Sequence, residues 1–204
     1  MNAKIALNEN LALTPNLNST QAKKKRLNMS ERAQEQMTLL FGDVINHPYI
    51  WTRKKNHGYS TIPRTLPIAM QAIDEQSKGQ PAGHTLFCLW ARSPDHPLVA
   101  IENQAIFAAE AGYSGERAVD TWRRRMKKLV ELGFILPKSG TSGDFHYILL
   151  INPNAAIESL WINKKIREQL YVRFKERLGE IGALQDIEEM RAFLESQNKG
   201  GTNG

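Results

Sequence analysis

Apolar residues recur most regularly at helical spacing between residues 104 and 132. The pattern predicts a short helix, Gln104–Ala111, and a longer helix, Glu116–Leu132, joined by the tight turn Gly112–Gly115. We expect Gly133 to end the longer helix, because glycine readily adopts the left-handed conformation found at helix C-termini. One apolar stripe of the longer helix is expected to pack inward: Val119, Trp122, Met126, Leu129 and Val130.

A β-hairpin is predicted directly after this helix. The runs Phe134–Pro137 and Phe145–Ile151 have the composition of strands, and the small polar loop Lys138–Asp144 separates them. Leu98–Ile101 is a further short strand candidate, ahead of the two helices. The predicted order is therefore a strand, two helices and a hairpin.

Three more helices are predicted upstream. Ser30 can cap a helix over about Ser30–Asn46, which carries apolar residues on one face. A proline near its start predicts a second helix over Thr65–Lys78, with Gly79 as the C-terminal cap. Pro81 opens the third helix, which is too apolar to be exposed.

Downstream, a helix is predicted over about 154–179 and a shorter helix follows it. The apolar row Ile157–Ile181 is longer than one small domain needs to cover its own sheet. Such a row predicts either an exposed homodimer interface or helices that fold back and complete a monomeric core. The dimer is the preferred interpretation of the two.

These elements predict a fold that is mainly α with a small β-hairpin. Residues 1–28 lack periodicity and are rich in Asn, Thr, Ala and Lys, which predicts a disordered arm with the basic run Lys23–Arg26. Residues 29–80 are predicted to form an N-terminal helical extension, and residues 81–153 a central domain. Residues 154–196 are predicted to form the C-terminal helices, and residues 197–204 a disordered tail.

The composition and charge of the chain limit the classes of partner and of site that can be expected. Apolar residues make up 41% of the chain and charged residues 24%, which is ordinary for a globular protein. The net charge of +6 favours an acidic partner. Cys88 is the sole cysteine, so an internal disulfide and a cysteine-rich zinc site are excluded, and its apolar surroundings predict a buried thiol. Because no signal-peptide core or membrane-length apolar run is found, a cytoplasmic protein without a membrane partner is predicted.

The positive charge is concentrated around the longer helix. Between Arg117 and Lys138 there are seven positive residues and two negative ones. A helix that projects from a compact support fits the major groove of double-stranded DNA, and its first turns meet the base edges. The candidate DNA-binding residues are Ser114, Arg117, Thr121, Arg124, Arg125, Lys128 and Lys138, the last three of them for phosphates.

Over roughly residues 81–151, the order helix, strand, helix, turn, long helix, strand, loop, strand resembles the winged helix-turn-helix superfamily. The phrase Leu-Val-Glu-Leu-Gly-Phe-Ile at the end of the long helix is typical of that superfamily. The resemblance implies a DNA-binding domain, although some of its members bind only proteins. Gly58–Pro67 is similar to uncharacterised proteins carried on bacterial plasmids, a resemblance that implies no activity.

The sequence predicts no enzyme, no cofactor and no metal site. It has no phosphate-binding Gly-Lys-Ser/Thr loop, no dinucleotide glycine pattern and no His-Glu-x-x-His, and its five histidines are scattered. The leading hypothesis is a sequence-specific double-stranded DNA-binding protein, acting as a transcriptional regulator or as a replication or maintenance factor of a bacterial mobile element. The alternative is a winged-helix adaptor that binds protein and not DNA. A third interpretation is RNA or single-strand binding through the basic, aromatic segment Trp51–Tyr59.

Overall fold

A computed structural model describes residues 31–93 and 95–200. The chain divides into two units, Met1–His57 and Gly58–Gly204. The predicted arm 1–28, the predicted cap Ser30 and the last four residues lie outside the described residues. Among the residues that are described, no helix is both long and apolar enough to cross a membrane.

In the first unit, residues 31–41 form helix α1, and a 3-10 helix, Gly42–Asn46, continues it. The segment predicted as one helix therefore changes type, because Gly42 has a φ of 55° that lies outside α-helical geometry. The end of α1 carries large apolar side chains that are mostly exposed: Leu39, Leu40 and Phe41.

The second unit is mainly helical, with one small antiparallel sheet, as the sequence predicts at this coarse level. Its helices, α2 to α8, are Leu66–Gln76, Gly83–Ala91, Gln104–Glu110, Ala118–Glu131, Pro153–Ile162, Glu168–Ile181 and Gln185–Gly200. Its strands, β1 to β3, are Leu98–Ala100, Ile135–Gly140 and Gly143–Leu150. The segment predicted as a separate central domain and the C-terminal helices thus lie in one unit, and α8 continues past the predicted end at residue 196.

The sheet has the order β1-β3-β2, so the last strand lies in its centre. The hairpin is longer than predicted: most of Lys138–Asp144 belongs to β2 and β3, and only Thr141 and Ser142 form the turn. The loop prediction was wrong because small polar residues are also compatible with a solvated strand. The register shifts between Lys138 and Gly140, where β3 has two more residues than β2 between the paired positions, so the bulge lies in β3.

Helix α5 is held by the apolar stripe that its sequence predicts. Trp122, Met126 and Leu129 are fully buried in the core, and Val119 and Val130 pack against it at the edge. The Trp122 ring meets Phe145 of β3 edge-on, at 5.9 Å between ring centroids, and it also lies against Phe107 of α4. The stripe therefore fixes which face of α5 points outward.

The C-terminal helices are part of the same core. The single helix predicted over 154–179 is broken after Ile162, where Lys164 adopts a φ of 55° and Ile166 turns into the interior. Leu170 and Phe174 are buried, so the expectation that these two side chains are exposed is wrong. Their burial agrees with the other interpretation, in which the helices complete the core.

A buried carboxylate fixes α8 to this core. Glu158 of α6 is fully buried and accepts hydrogen bonds from the Tyr171 hydroxyl at 2.8 Å and from Nε of Arg191 at 2.8 Å. Burial and the hydrogen bond to Glu158 raise the pKa of Tyr171. A buried charge is tolerated when it is paired and hydrogen-bonded in this way.

Helices α2 and α3 approach each other closely at Gly83. A Cβ at this position would lie 2.8 Å from the carbonyl oxygen of Met70 and 2.9 Å from its Cα, inside van der Waals contact. The same turn is capped by Asp74, whose Oδ1 accepts hydrogen bonds from the backbone N–H groups of Ala82 and Gly83. The packing of α3 on α2 therefore requires glycine here.

We predict that Gly83→Ala destabilises the second unit by about 1–3 kcal/mol, because the added methyl forces α2 and α3 apart. The matched control is Gly179→Ala in α7, where a Cβ meets nothing within 4 Å. That control should raise stability by about 0.5–1 kcal/mol through the higher helix propensity of alanine. Thermal unfolding of both variants measures the difference, and equal melting temperatures would contradict the close approach.

Candidate nucleic-acid interface

Helices α4 and α5 meet at a corner that is closed by Tyr113. Asn103 caps α4, its side chain accepting a hydrogen bond from the backbone N–H of Ala105 at 3.0 Å. The Tyr113 hydroxyl lies 2.9 Å from Oγ1 of the buried Thr85 on α3. A hydroxyl with this partner stabilises the corner, so Tyr113 is a structural residue of the turn.

The outward face of α5 carries the predicted contact residues in one row. Arg117 and Arg124 are exposed, and Thr121 and Lys128 are half-buried on the same side of the helix. Nη2 of Arg124 donates to Oγ1 of Thr121 at 3.1 Å, and Nζ of Lys128 lies 2.8 Å from Oε2 of Glu131. That hydrogen bond from Lys128 holds the pKa of Glu131 below its usual value.

Arg125 has a different environment from the other cations of α5. Its Nε donates to the carbonyl oxygen of Pro81 at 3.0 Å, and its Nη1 donates to Oε1 of Gln80 at 2.8 Å. Its guanidinium carbon lies 5.8 Å from the centroid of the Tyr113 ring. Arg125 therefore ties α5 to the connection between α2 and α3, a role that the sequence does not indicate.

Two predicted residues lie away from this row. Ser114 is exposed in the turn before α5. Lys138 is exposed on β2, where it pairs across the strands with Tyr147. The structure thus groups Arg117, Thr121, Arg124 and Lys128 on one helix face, and it places Lys138 on the hairpin.

The end of the hairpin is fixed by a hydrogen-bond chain that the sequence does not reveal. Nε2 of Gln104 donates to the carbonyl oxygen of Ser142 at 2.6 Å, and Oε1 of Gln104 accepts from Nε of Arg123 at 2.7 Å. The Ser142 hydroxyl also contacts Nδ1 of His146 at 2.7 Å and the backbone oxygen of Ile101. Gln104 therefore connects the hairpin turn to α5.

Gly140 leaves room for this arrangement, since a Cβ at its position would overlap the His146 ring. His146 is buried beside the turn, and its ring meets Tyr147 edge-on. Gly140, which was predicted to lie in a loop, is therefore needed for close packing.

A basic cleft of about 360 Å³ lies between the second half of α5 and the α2–α3 connection. We call it the basic cleft. Five cations and one carboxylate are among its lining residues, which are Ser77, Lys78, Gln80, Arg124, Arg125, Lys127, Lys128 and Glu131. Lys78 and Lys127 were not among the candidate residues. The sequence around Lys78 does not indicate that its side chain lines a cleft. It predicts only that the next residue, Gly79, caps a helix.

Cys88 is buried, as its apolar surroundings predict. Burial, with a smaller contribution from the Glu110 carboxylate, raises the pKa of its thiol, which disfavours the reactive thiolate. Within residues 31–93 and 95–200, no group of three or more His, Cys, Asp or Glu side chains is arranged to hold a metal ion. Trp51 and Tyr59, at the ends of the proposed single-strand segment, are 61% and 47% exposed.

Comparisons of the chain with protein-family models, with curated proteins and with solved structures give no significant match. The geometry and charge of α5, the hairpin and the basic cleft are therefore the features of this chain that indicate a function.

We predict that Gln104→Ala loosens the hairpin turn, because it removes both links between Ser142 and α5. Loss of these partly buried hydrogen bonds should cost about 1–2 kcal/mol of the free energy of unfolding. Hydrogen exchange at the backbone amides of residues 141–144 should become faster than elsewhere in the sheet. Gln169→Ala, at an exposed position on α7, is the matched control and should leave both measurements unchanged. Unchanged exchange in Gln104→Ala would show that the strand ladder alone fixes the turn.

Proposed function

We propose that this chain is a sequence-specific double-stranded DNA-binding protein, and that residues 81–153 form a winged helix-turn-helix domain. The order of α3, β1, α4, α5, β2 and β3 supports the proposal, because it agrees with the order on which the resemblance rests. In this assignment α5 is the recognition helix and the β2–β3 hairpin is the wing. In this proposal the protein acts by binding DNA and not by catalysing a reaction.

The observation that carries the proposal is that α5 is amphipathic, with one apolar face and one basic face. Trp122, Met126 and Leu129 are buried on one side of α5, so Arg117 and Arg124 on the opposite side face outward. The first turns of such a helix can enter the major groove, where arginine makes bidentate contacts with guanine. Arg117 and Arg124 are the proposed base readers, since both are exposed on the outward face.

A salt titration of duplex binding tests the proposal. Fluorescence anisotropy with a labelled random duplex should show binding whose affinity falls steeply between about 50 and 200 mM salt, because bound cations are released from DNA phosphates. A single-stranded probe of the same length and its RNA counterpart serve as controls. Tighter binding to either control would favour the interpretation that assigns recognition to Trp51–Tyr59.

Base readers and phosphate contacts should respond differently to substitution. With a site selected from random duplexes, Arg117→Ala and Arg124→Ala should each lose about 1–3 kcal/mol of discrimination against random DNA. Lys138→Ala should weaken both kinds of binding equally and lower the salt slope by about one unit. Each residue is exposed, so folding stability should change by less than about 0.5 kcal/mol. An arginine variant that keeps the full preference for the selected site would not be a base reader.

The competing function is an adaptor that binds another protein. The observation in its favour is a row of exposed leucines on the outer face of the sheet, where Leu98 and Leu136 flank Leu149 across the three strands. Exposed apolar side chains in contact with one another often belong to protein interfaces. A folded protein that binds no duplex at low salt would favour this function over the first.

The biological role that we propose is transcriptional regulation, or replication or maintenance of a bacterial mobile element. Both roles use a domain of this kind, and the similarity of Gly58–Pro67 to plasmid-borne proteins supports the mobile element. The proposed location is the cytoplasm, where the DNA target would be found.

A further inference from the structure

The basic cleft has two walls that come from distant parts of the chain. One wall is the second half of α5, and the other is the connection between α2 and α3 with Lys78 at its exposed turn. Arg125 joins them through its hydrogen bonds to Gln80 and Pro81. This link is intramolecular, so it connects the two walls without a partner.

The cations of this cleft are available to an external anion. Lys78 and Lys127 are exposed, and neither has a carboxylate partner within 4.0 Å among the described residues. Arg125 uses two of the five N–H groups of a guanidinium for the link between the walls. Lys128 is the one lysine here with an acidic neighbour, Glu131.

The position of the cleft along α5 identifies the part of a DNA molecule that would reach it. Lys127 follows Thr121 by six residues, which is about 9 Å along an α-helix. The major groove is about 12 Å wide. A helix whose first turns meet bases therefore brings its second half to the edge of the groove, where the sugar-phosphate backbone lies.

We propose that the basic cleft holds the sugar-phosphate backbone of double-stranded DNA, with Lys78 and Lys127 as phosphate contacts. The inference rests on the proposed function and extends the interface from α5 to the α2–α3 connection. Lysine suits this position because its ammonium group is a compact point charge that does not need the fixed geometry of a base edge. Glu131 opposes the contact, since it competes with phosphate for Lys128.

The test compares neutral variants of the full chain on one labelled random duplex across a salt series. The double variant Lys78→Gln, Lys127→Gln removes two positive charges and keeps a polar side chain at each position. Its salt slope should fall by about two units, so the ratio of affinities at 50 and 200 mM salt should shrink by roughly tenfold. Glu131→Gln should act in the opposite direction, with tighter binding and a steeper slope.

The matched control is Lys175→Gln on α7, which removes one positive charge outside the cleft and should leave the slope unchanged. Circular dichroism verifies that each variant is folded. If the unchanged protein binds duplex and the double variant keeps its full slope, the cleft is not a phosphate site, although DNA binding stands. If the unchanged protein binds no duplex, the proposed function fails, and this inference fails with it.

Discussion

The burial of Trp122 is the interaction on which the arrangement of this chain depends most directly. Its ring is held between Phe107 of α4 and Phe145 of β3, so one side chain joins the two-helix corner to the sheet. Truncating such a residue removes dispersion contacts on all sides and leaves a cavity. Because α5 cannot rotate without exposing this ring, its basic face has one possible direction.

Hydrogen bonds then connect α5, whose orientation the core has fixed, to its neighbouring segments. Gln104 and Arg125 each connect α5 to a different neighbour, the hairpin turn in one case and the α2–α3 connection in the other. Arg123 and Arg125 lie on either side of the apolar stripe and are engaged within the chain, whereas Arg117 and Arg124 face outward. The cations of α5 thus divide into those that support the helix and those that can meet a partner.

Local patterns predict the elements that depend on sequence neighbours. The inward stripe of α5 follows from its helical spacing, and the end of that helix follows from Gly133, whose φ is 79°. Contacts between distant residues leave no such pattern: Gln104 and Ser142 are 38 positions apart. Arg125 and Gln80 are similarly remote, so neither their link nor the basic cleft could be predicted. The break after Ile162 was missed because apolar spacing continues through it, although Lys164 leaves helical geometry.

The placement of β3 at the centre of the sheet has a consequence for how copies of this chain can meet. Both outer strands are poor templates for a further strand: β1 has three residues, and β2 carries Pro137 and loses its regular register with β3 before Gly140. Proline cannot donate a ladder hydrogen bond, and the bulge in β3 increases the local twist of the strand pair. Both features are protections against edge-to-edge aggregation. The leucines of the outer face can therefore remain exposed without the sheet extending from one molecule into the next.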